Sequence, residues 1–260
     1  MYSSALFEKY VNNSSQKNIF ITQRTSEMFN KLKGYFNKAE MILLSSSTLA
    51  IILSFLLFDR KNYLTLIASV LGAFALILCA KGNPLGQILI LVFSTLYGLI
   101  SFSCAYYGEV LTYAGMTAPM AVVSLISWLK NPYEKGKTEV RVATITKKDI
   151  SLLITLTPLI TLIFFFILRF FGTANLLVST LSVTTTFAAV FLTYKRSKYF
   201  TLAYAVNDVV LITLWTLAAI HDVSYLSVII CFVAFLANDI YGFISWQRME
   251  KKQHGCPQDT

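Results

Sequence analysis

The sequence predicts an all-α integral membrane protein with about eight transmembrane helices. Of its 260 residues 56% are hydrophobic and only 13% are charged, whereas a soluble domain carries about 25% charged residues. Apolar segments of membrane-spanning length follow one another from residue 41 onward. The basic residues fall almost entirely on alternate connections between these segments. This composition excludes a soluble globular enzyme and a disordered chain.

The first 40 residues are polar and basic, and they lack the apolar core and cleavage site of a signal peptide. Within them, apolar residues recur at helical spacing: Met28, Phe29, Leu32, Tyr35 and Phe36. This spacing is typical of an amphipathic helix on a membrane surface, and a solvated tail is the alternative. We expect residues 1–40 to be cytoplasmic.

Eight apolar segments have the length of about 17–25 residues that a transmembrane helix needs. They are 41–58, 63–80, 85–107, 111–129, 152–170, 174–194, 201–220 and 224–246. Most connections are very short, so consecutive helices must run antiparallel. The exception is the basic loop at 131–151.

Nineteen of the 22 Lys and Arg residues lie on one side of this alternation, against Arg60, Lys61 and Arg169 on the other. Because Lys and Arg concentrate in cytoplasmic loops, we expect a multi-pass protein of the cell membrane with both termini in the cytoplasm. The net charge of +9 is then an orientation signal. No basic run of the kind that binds nucleic acid is present, so the expected partner is the lipid bilayer and not nucleic acid.

A short motif indicates an internal repeat. The segment ending Ile126-Ser127-Trp128-Leu129-Lys130 resembles the one ending Ile244-Ser245-Trp246-Gln247-Arg248, 118 residues later. Each motif ends the last of three consecutive spans, and one further span lies between the two groups of three. Because the number of intervening spans is odd, the two groups must have the same orientation in the membrane, as parallel repeats do. The predicted order is tail (1–40), extra helix (41–58), first three-helix repeat (63–130), basic loop (131–151), linker helix (152–170), second repeat (174–248) and tail (249–260).

Two Asn-Asp pairs interrupt the apolar spans. Asn207-Asp208 and Asn238-Asp239 each lie about 10–12 Å from the predicted cytoplasmic boundary at 1.5 Å rise per residue. Polar groups at this depth usually face a bundle interior or a watery cavity. The pairs are therefore candidate substrate-binding residues, and the alternative is that they join two helices by hydrogen bonds.

Four aromatic residues within the spans are candidates for stacking on a planar substrate, namely Tyr97, Tyr204, Trp215 and Tyr241. Trp128 and Trp246 end their spans, so we expect them in the interfacial aromatic belt. Thr184, Thr185 and Thr186 are expected to bond to their own helix backbone.

The sequence contains no motif for catalysis, metal binding or a cofactor. HExxH, GxSxG and the phosphate-binding GxxxxGK[ST] pattern are absent. The four cysteines form no CxxC pair. We therefore predict no catalytic residues, no metal and no cofactor, and this chain cannot hydrolyse ATP to drive uptake.

Three segments resemble the PnuC-type vitamin transporter family. The run from Ala205 to Trp215 (AVNDVVLITLW) is similar to the sixth core helix of that family, and the run from Asn238 to Met249 (NDIYGFISWQRM) to its closing helix. Asn83-Pro84-Leu85-Gly86 resembles the start of another helix. The likeness extends over roughly residues 63–250 and leaves the N-terminal 60 residues outside the common core.

The resemblance implies a SWEET-like fold with two parallel three-helix repeats around a linker helix. It also implies uptake of nicotinamide riboside by facilitated diffusion with alternating access, followed by trapping through cytoplasmic phosphorylation. Asn207, Asp208 and Asn238 would then bond the ribose or the carboxamide, and the rings of Tyr204, Trp215 and Tyr241 would stack on the substrate or gate it.

One departure from the family keeps other functions open. Nicotinamide riboside carriers have two tryptophans shortly before the position of Asn207, where this chain has Phe200 and Tyr204. A related carrier of thiamine, riboflavin or deoxynucleosides is therefore the alternative. Proton-coupled transport through Asp208 or Asp239 and a membrane sensor without flux are further hypotheses. The oligomeric state, including a homo-oligomer, is left open by the sequence.

Overall fold

The computed structural model describes residues 34–103, 107–134, 136–173 and 175–255. Most of the predicted amphipathic segment lies outside the described residues. The chain divides into two units, residues 1–42 and 43–260. In the described part of the first unit, the amide of Asn37 donates to the Glu40 carboxylate and the amide of Glu40 donates to the Asn37 side chain, both at 2.8 Å. This reciprocal capping begins the first long helix.

The described chain contains eight helical segments long and apolar enough to cross a membrane, as the sequence predicts. The α-helices are α1 (Lys38–Phe58), α2 (Tyr63–Ala80), α3 (Leu85–Ser103), α4 (Tyr107–Val110), α5 (Ala118–Leu129), α6 (Lys147–Phe170), α7 (Leu176–Tyr194), α8 (Tyr199–Ala219) and α9 (Leu226–Gly255). A π-helical segment, Leu111–Thr117, joins α4 to α5 in the fourth of the eight, and a 3-10 turn, Val223–Tyr225, precedes α9. The only strand-like pairing in the described residues is a single bridge between Pro132 and Val140.

The π-helical segment has a local cause in Pro119. Proline has no N–H to donate, and its ring clashes with the carbonyl four residues earlier. The backbone widens instead, since the amide of Ala118 and the hydroxyl of Thr117 donate to carbonyls five residues back, on Tyr113 and Thr112. Such segments often occur at functional sites, and this one turns both Tyr113 and Thr117 toward the interior.

The helices form two bundles that contact each other through their outer members. Helices α2, α3 and α5 pack together as the first bundle, and α7, α8 and α9 pack together as the second. Between the bundles, α9 packs on α2 and α5 packs on α7. The third helix of each bundle thus contacts the first helix of the other, as expected for parallel repeats related by a twofold axis. The repeat itself stays a prediction.

Helix α6 lies at the periphery and packs mainly on α7. Its capping box pairs Thr146 with Asp149, so the basic loop ends at residue 146, before the predicted boundary at 151. Large apolar side chains of α6, including Ile154, Leu162 and Phe166, are more than half exposed. A helix with this surface suits contact with lipid.

Candidate functional site

A small inner cavity of about 60 Å³ lies between the two bundles, midway along the helices. Aromatic rings supply much of its wall: Phe93, Tyr113, Tyr204, Phe232 and Phe235. The polar side chains that line it are Thr117, Thr186, Asn207 and Asp208. Pockets that hold small molecules usually measure about 300–1,000 Å³, so the inner cavity is too small for such a ligand in this conformation.

Helix α7 holds the amide of Asn207 in place. The hydroxyls of Thr185 and Thr186 donate to its Oδ1 at 2.7 and 3.0 Å. A hydroxyl has only one proton, and Thr185 also lies within reach of carbonyls of its own helix. The hydrogen bond from Thr186 to Asn207 therefore competes less with backbone acceptors than the one from Thr185 does. Thr184 and Thr185 reach their own backbone as the sequence predicts, but Thr186 reaches across to α8.

The two aspartates of the Asn-Asp pairs meet each other. The carboxyl groups of Asp208 on α8 and Asp239 on α9 are within hydrogen-bonding reach and are both buried. One carboxyl must carry a proton for two of them to share a hydrogen bond. Asp208 Oδ2 accepts no hydrogen bond from any residue that the structure describes, and Asp208 also lines the inner cavity. The pair is thus a candidate proton-holding group, with Asp208 at the wall of that cavity.

Asn238 occupies a different environment from Asn207. Its Nδ2 donates to Ser47 Oγ on α1 at 3.0 Å and to the Ala234 carbonyl at 2.8 Å. Its side chain is 1% exposed and does not line the inner cavity. The structure therefore assigns Asn238 to the contact between α1 and α9, which corresponds to the helix-joining alternative.

The four candidate aromatic residues also differ in which cavity they line. Tyr204 lines the inner cavity. Tyr97 is buried against Tyr113 with ring centroids 4.6 Å apart, and it lines a small neighbouring cavity. Trp215 lies further along α8 and lines a separate, larger cavity. Tyr241 is half-buried on α9 and does not line the inner cavity.

The larger cavity, which we call the distal cavity, has a volume of about 490 Å³ and lies at the end of the bundles opposite the basic loop. Turns between helices contribute Thr173 and His221, and the start of the fourth spanning segment contributes Glu109. Sequence reasoning placed Glu109 in a connection between spans, but its side chain is only 4% exposed. The sequence does not predict this burial, because an acid at the end of a span resembles one in a loop.

One face of α8 lines both cavities. Asn207, Asp208 and Leu211 line the inner cavity, and one turn later Leu214 and Trp215 line the distal cavity. At 1.5 Å rise per residue, Asp208 and Trp215 are about 10 Å apart along the helix axis. One face of α8 therefore borders both cavities, from the distal end to the middle of the molecule.

At the opposite end, Trp128, Trp246 and Phe200 close the space between the bundles, and we call them the tryptophan seal. The two indole rings are fully buried with centroids 5.4 Å apart. Trp128 Nε1 donates to the Thr193 carbonyl on α7 at 3.0 Å, and Trp246 Nε1 donates to the Cys79 carbonyl on α2 at 2.8 Å. The expected place in an interfacial belt is thus wrong, because each indole has a buried carbonyl as its partner.

The basic loop lies across the tryptophan seal. Val140 and Val142 are buried against it. Gln253 at the end of α9 accepts from the Val142 amide at 2.8 Å and donates to the Val140 carbonyl at 3.1 Å. The end of the molecule that carries the basic loop is therefore closed, whereas the distal end is open.

Comparison with known proteins gives consistent matches. The sequence model of a family described as nicotinamide mononucleotide transporter matches residues 62–248. The nicotinamide riboside transporter PnuC of Neisseria mucosa is 23% identical over 202 residues, covering 76% of this chain and 77% of the relative. PnuC of Haemophilus influenzae is 23% identical over 192 residues, covering 74% and 82%. The crystal structure of the vitamin B3 transporter PnuC matches with a TM-score of 0.75 at 21% identity, covering 85% of this chain and 96% of that one.

Proposed function

The chain belongs to the nicotinamide mononucleotide transporter family, and on that premise we propose that it carries nicotinamide riboside into the cell by facilitated diffusion. The family and the named relatives are transporters and not enzymes. The observation that carries the proposal is the buried polar wall of Asn207 and Asp208 at a cavity between two helix bundles. Substrate sites of transporters built from repeats lie at this position.

The charge of the inner cavity favours the riboside over the mononucleotide. The two molecules differ by one phosphate group, which is negatively charged at neutral pH. Among the described residues that line the inner cavity there is an aspartate but no Lys or Arg. A phosphate beside buried Asp208 would lack a positive partner, at a cost of several kcal/mol. The pyridinium ring of the riboside is positively charged, so it suits the same wall.

The two ends of the bundles support an alternating-access cycle. We infer from the positive-inside rule that the basic loop is cytoplasmic, so the distal cavity opens to the outside and the tryptophan seal closes the inside. Substrate would enter through the distal cavity and expand the inner cavity. Motion of the bundles would then separate Trp128 from Trp246 and release the riboside, which cytoplasmic phosphorylation would trap.

A substrate panel tests this proposal. Purified protein in liposomes is assayed for uptake of nicotinamide riboside, its mononucleotide, thiamine, riboflavin and deoxynucleosides. We expect uptake of the riboside, exclusion of the mononucleotide, and loss of uptake in Asn207→Leu. Faster uptake of thiamine or riboflavin would assign the chain to a related carrier. Uptake of the mononucleotide at the riboside rate would contradict the charge argument.

Proton coupling is a second candidate because the buried carboxyl groups of Asp208 and Asp239 lie close together. A proton released from the pair during the cycle would link riboside movement to a pH gradient. The test imposes an acidic exterior on liposomes that contain no kinase. Accumulation above the external concentration, abolished by an uncoupler and by Asp239→Asn, supports coupling. Equilibration without accumulation contradicts it.

A further inference from the structure

Glu109 is a deeply buried acid that the transport cycle described above does not use. Its carboxylate lines the distal cavity and is 4% exposed. Its Oε2 has no hydrogen-bond donor within the part of the chain that the structure describes. Burial of an ionised carboxylate costs several kcal/mol unless a partner compensates it. A carboxylate held in a cavity without such a partner is suited to a positively charged ligand.

The backbone around Glu109 is tightly packed. A Cβ atom added to Gly108 would lie only 2.8 Å from Thr173 Cγ2 and 3.3 Å from Leu168 Cδ2. The absence of a side chain at Gly108 thus lets the start of the fourth spanning segment pack against the turn after α6. This packing fixes the position from which Glu109 enters the cavity.

Aromatic rings supply the second element of the site. Trp215 and Tyr225 both line the distal cavity, with ring centroids 5.3 Å apart. The faces of such rings attract cations through their quadrupole, and sites for quaternary nitrogen use them in this way. An acid and a pair of rings around one cavity match a flat cation better than a sugar or a phosphate.

A second acidic side chain lies at the distal cavity. Asp222 lines it, and the backbone N–H of Ser224 lowers the pKa of that carboxyl, so it is ionised at neutral pH. His221 is the one basic side chain among the described lining residues. Asp222 therefore places a negative charge at the cavity.

We propose that the distal cavity is a capture site for a pyridinium cation, in which Glu109 pairs with the positive ring and Trp215 and Tyr225 contact its face. This inference rests on the proposed function, since it assigns to the riboside a first binding position. The face of α8 that borders both cavities leads from Trp215 to Asp208, about 10 Å deeper. The pyridinium ring passes from Glu109 to Asp208 along that face. The substrate is thus recognised by its charge before its ribose is bound at the inner cavity.

A matched pair of substrates isolates the charge. Reduced nicotinamide riboside keeps the ribose and the carboxamide, but its dihydropyridine ring is neutral. We expect Glu109→Gln to lower the initial uptake rate of the oxidised riboside at low concentration by about tenfold. The rate for the reduced form should stay within about twofold. Glu134→Gln, which removes an exposed carboxylate of the basic loop, is the matched control and should alter neither rate.

Tryptophan fluorescence gives a readout that does not depend on transport. Pyridinium cations quench indole fluorescence on contact, and Trp128 and Trp246 are fully buried at the opposite end. The probe is N-methylnicotinamide, a pyridinium without ribose, added to protein in lipid nanodiscs. We expect saturable quenching that disappears in Trp215→Phe and has an about tenfold weaker Kd in Glu109→Gln. Uncharged nicotinamide should quench far less.

Each outcome decides one question. Equal loss of uptake for the oxidised and reduced forms in Glu109→Gln would overturn the proposal, because the acid would then serve the conformation and not the charge. Quenching of the wild type by uncharged nicotinamide as strong as by the cation would also overturn it, and that result needs no variant to fold. If the wild type carries neither riboside but shows the quenching pattern, the proposed function fails and the cation site stands.

Discussion

Asn207→Leu and Asn238→Leu should differ in their effect on substrate affinity, although both residues begin an Asn-Asp pair. Asn207 lines the inner cavity and is held by Thr185 and Thr186. Its replacement removes one or two hydrogen bonds to the substrate, each worth about 0.5–1.5 kcal/mol. We therefore expect the Kd for nicotinamide riboside to rise by about 2- to 150-fold. Loss of the hydrogen bonds from Thr185 and Thr186 should also lower the stability of the protein.

Asn238 makes its bonds within the protein, to Ser47 and Ala234 at 3.0 and 2.8 Å. Hydrogen bonds between membrane helices contribute about 0.6 kcal/mol on average and up to about 1.7. We expect Asn238→Leu to lower the free energy of unfolding by about 1–2 kcal/mol and to leave the Kd unchanged.

Calorimetric titration and thermal unfolding of the two variants in one detergent measure both quantities. A loss of affinity in Asn238→Leu equal to that in Asn207→Leu, without a loss of stability, would refute the assignment of the two side chains.

Three further predictions concern the groups around the cavity. Thr186→Val keeps the shape but removes the donor to Asn207, so we expect an about 3- to 10-fold weaker Kd, and a binding titration measures it. Trp128→Phe and Trp246→Phe each remove the indole donor to a carbonyl that keeps a backbone N–H donor; each should lose about 0.5–1.5 kcal/mol of stability in thermal unfolding, and unchanged melting would contradict the tryptophan seal. Asp208→Asn should let the mononucleotide compete with the riboside for uptake, whereas a competition curve identical to that of the wild type would contradict the charge argument.

The fold was largely predictable because it follows from composition. Unbroken apolar length identifies a membrane helix without knowledge of its neighbours, and the eight predicted spans are found as helical segments. The length of helix α9 was underestimated, since the helix continues to Gly255, beyond the predicted end at 246. Its last turns are polar, and Gln253 holds them to the basic loop. That tertiary contact has no signature in a hydropathy pattern.

The candidate site was only partly predictable. Scarcity of charge made Asn207, Asp208, Asn238 and Asp239 conspicuous, but spacing from the span ends gives depth and not the direction in which a side chain points. The rotation of α8 and α9 directs Asn207 to the cavity and Asn238 to α1. The partners of Trp128 and Trp246 are backbone carbonyls, which carry no sequence signal. Glu109 was missed for a similar reason, because an acid at a span end is indistinguishable from one in a loop.

Equilibration of labelled nicotinamide riboside across liposomes tests the central claim most directly. The purified protein is reconstituted without a kinase, an ion gradient or a nucleotide. The account predicts that the internal concentration rises to the external value and stops there, and that Asn207→Leu slows the approach. Binding without any entry would identify a sensor, and accumulation above the external value when the assay is repeated with an inward proton gradient would identify a coupled carrier. Either result would contradict facilitated diffusion.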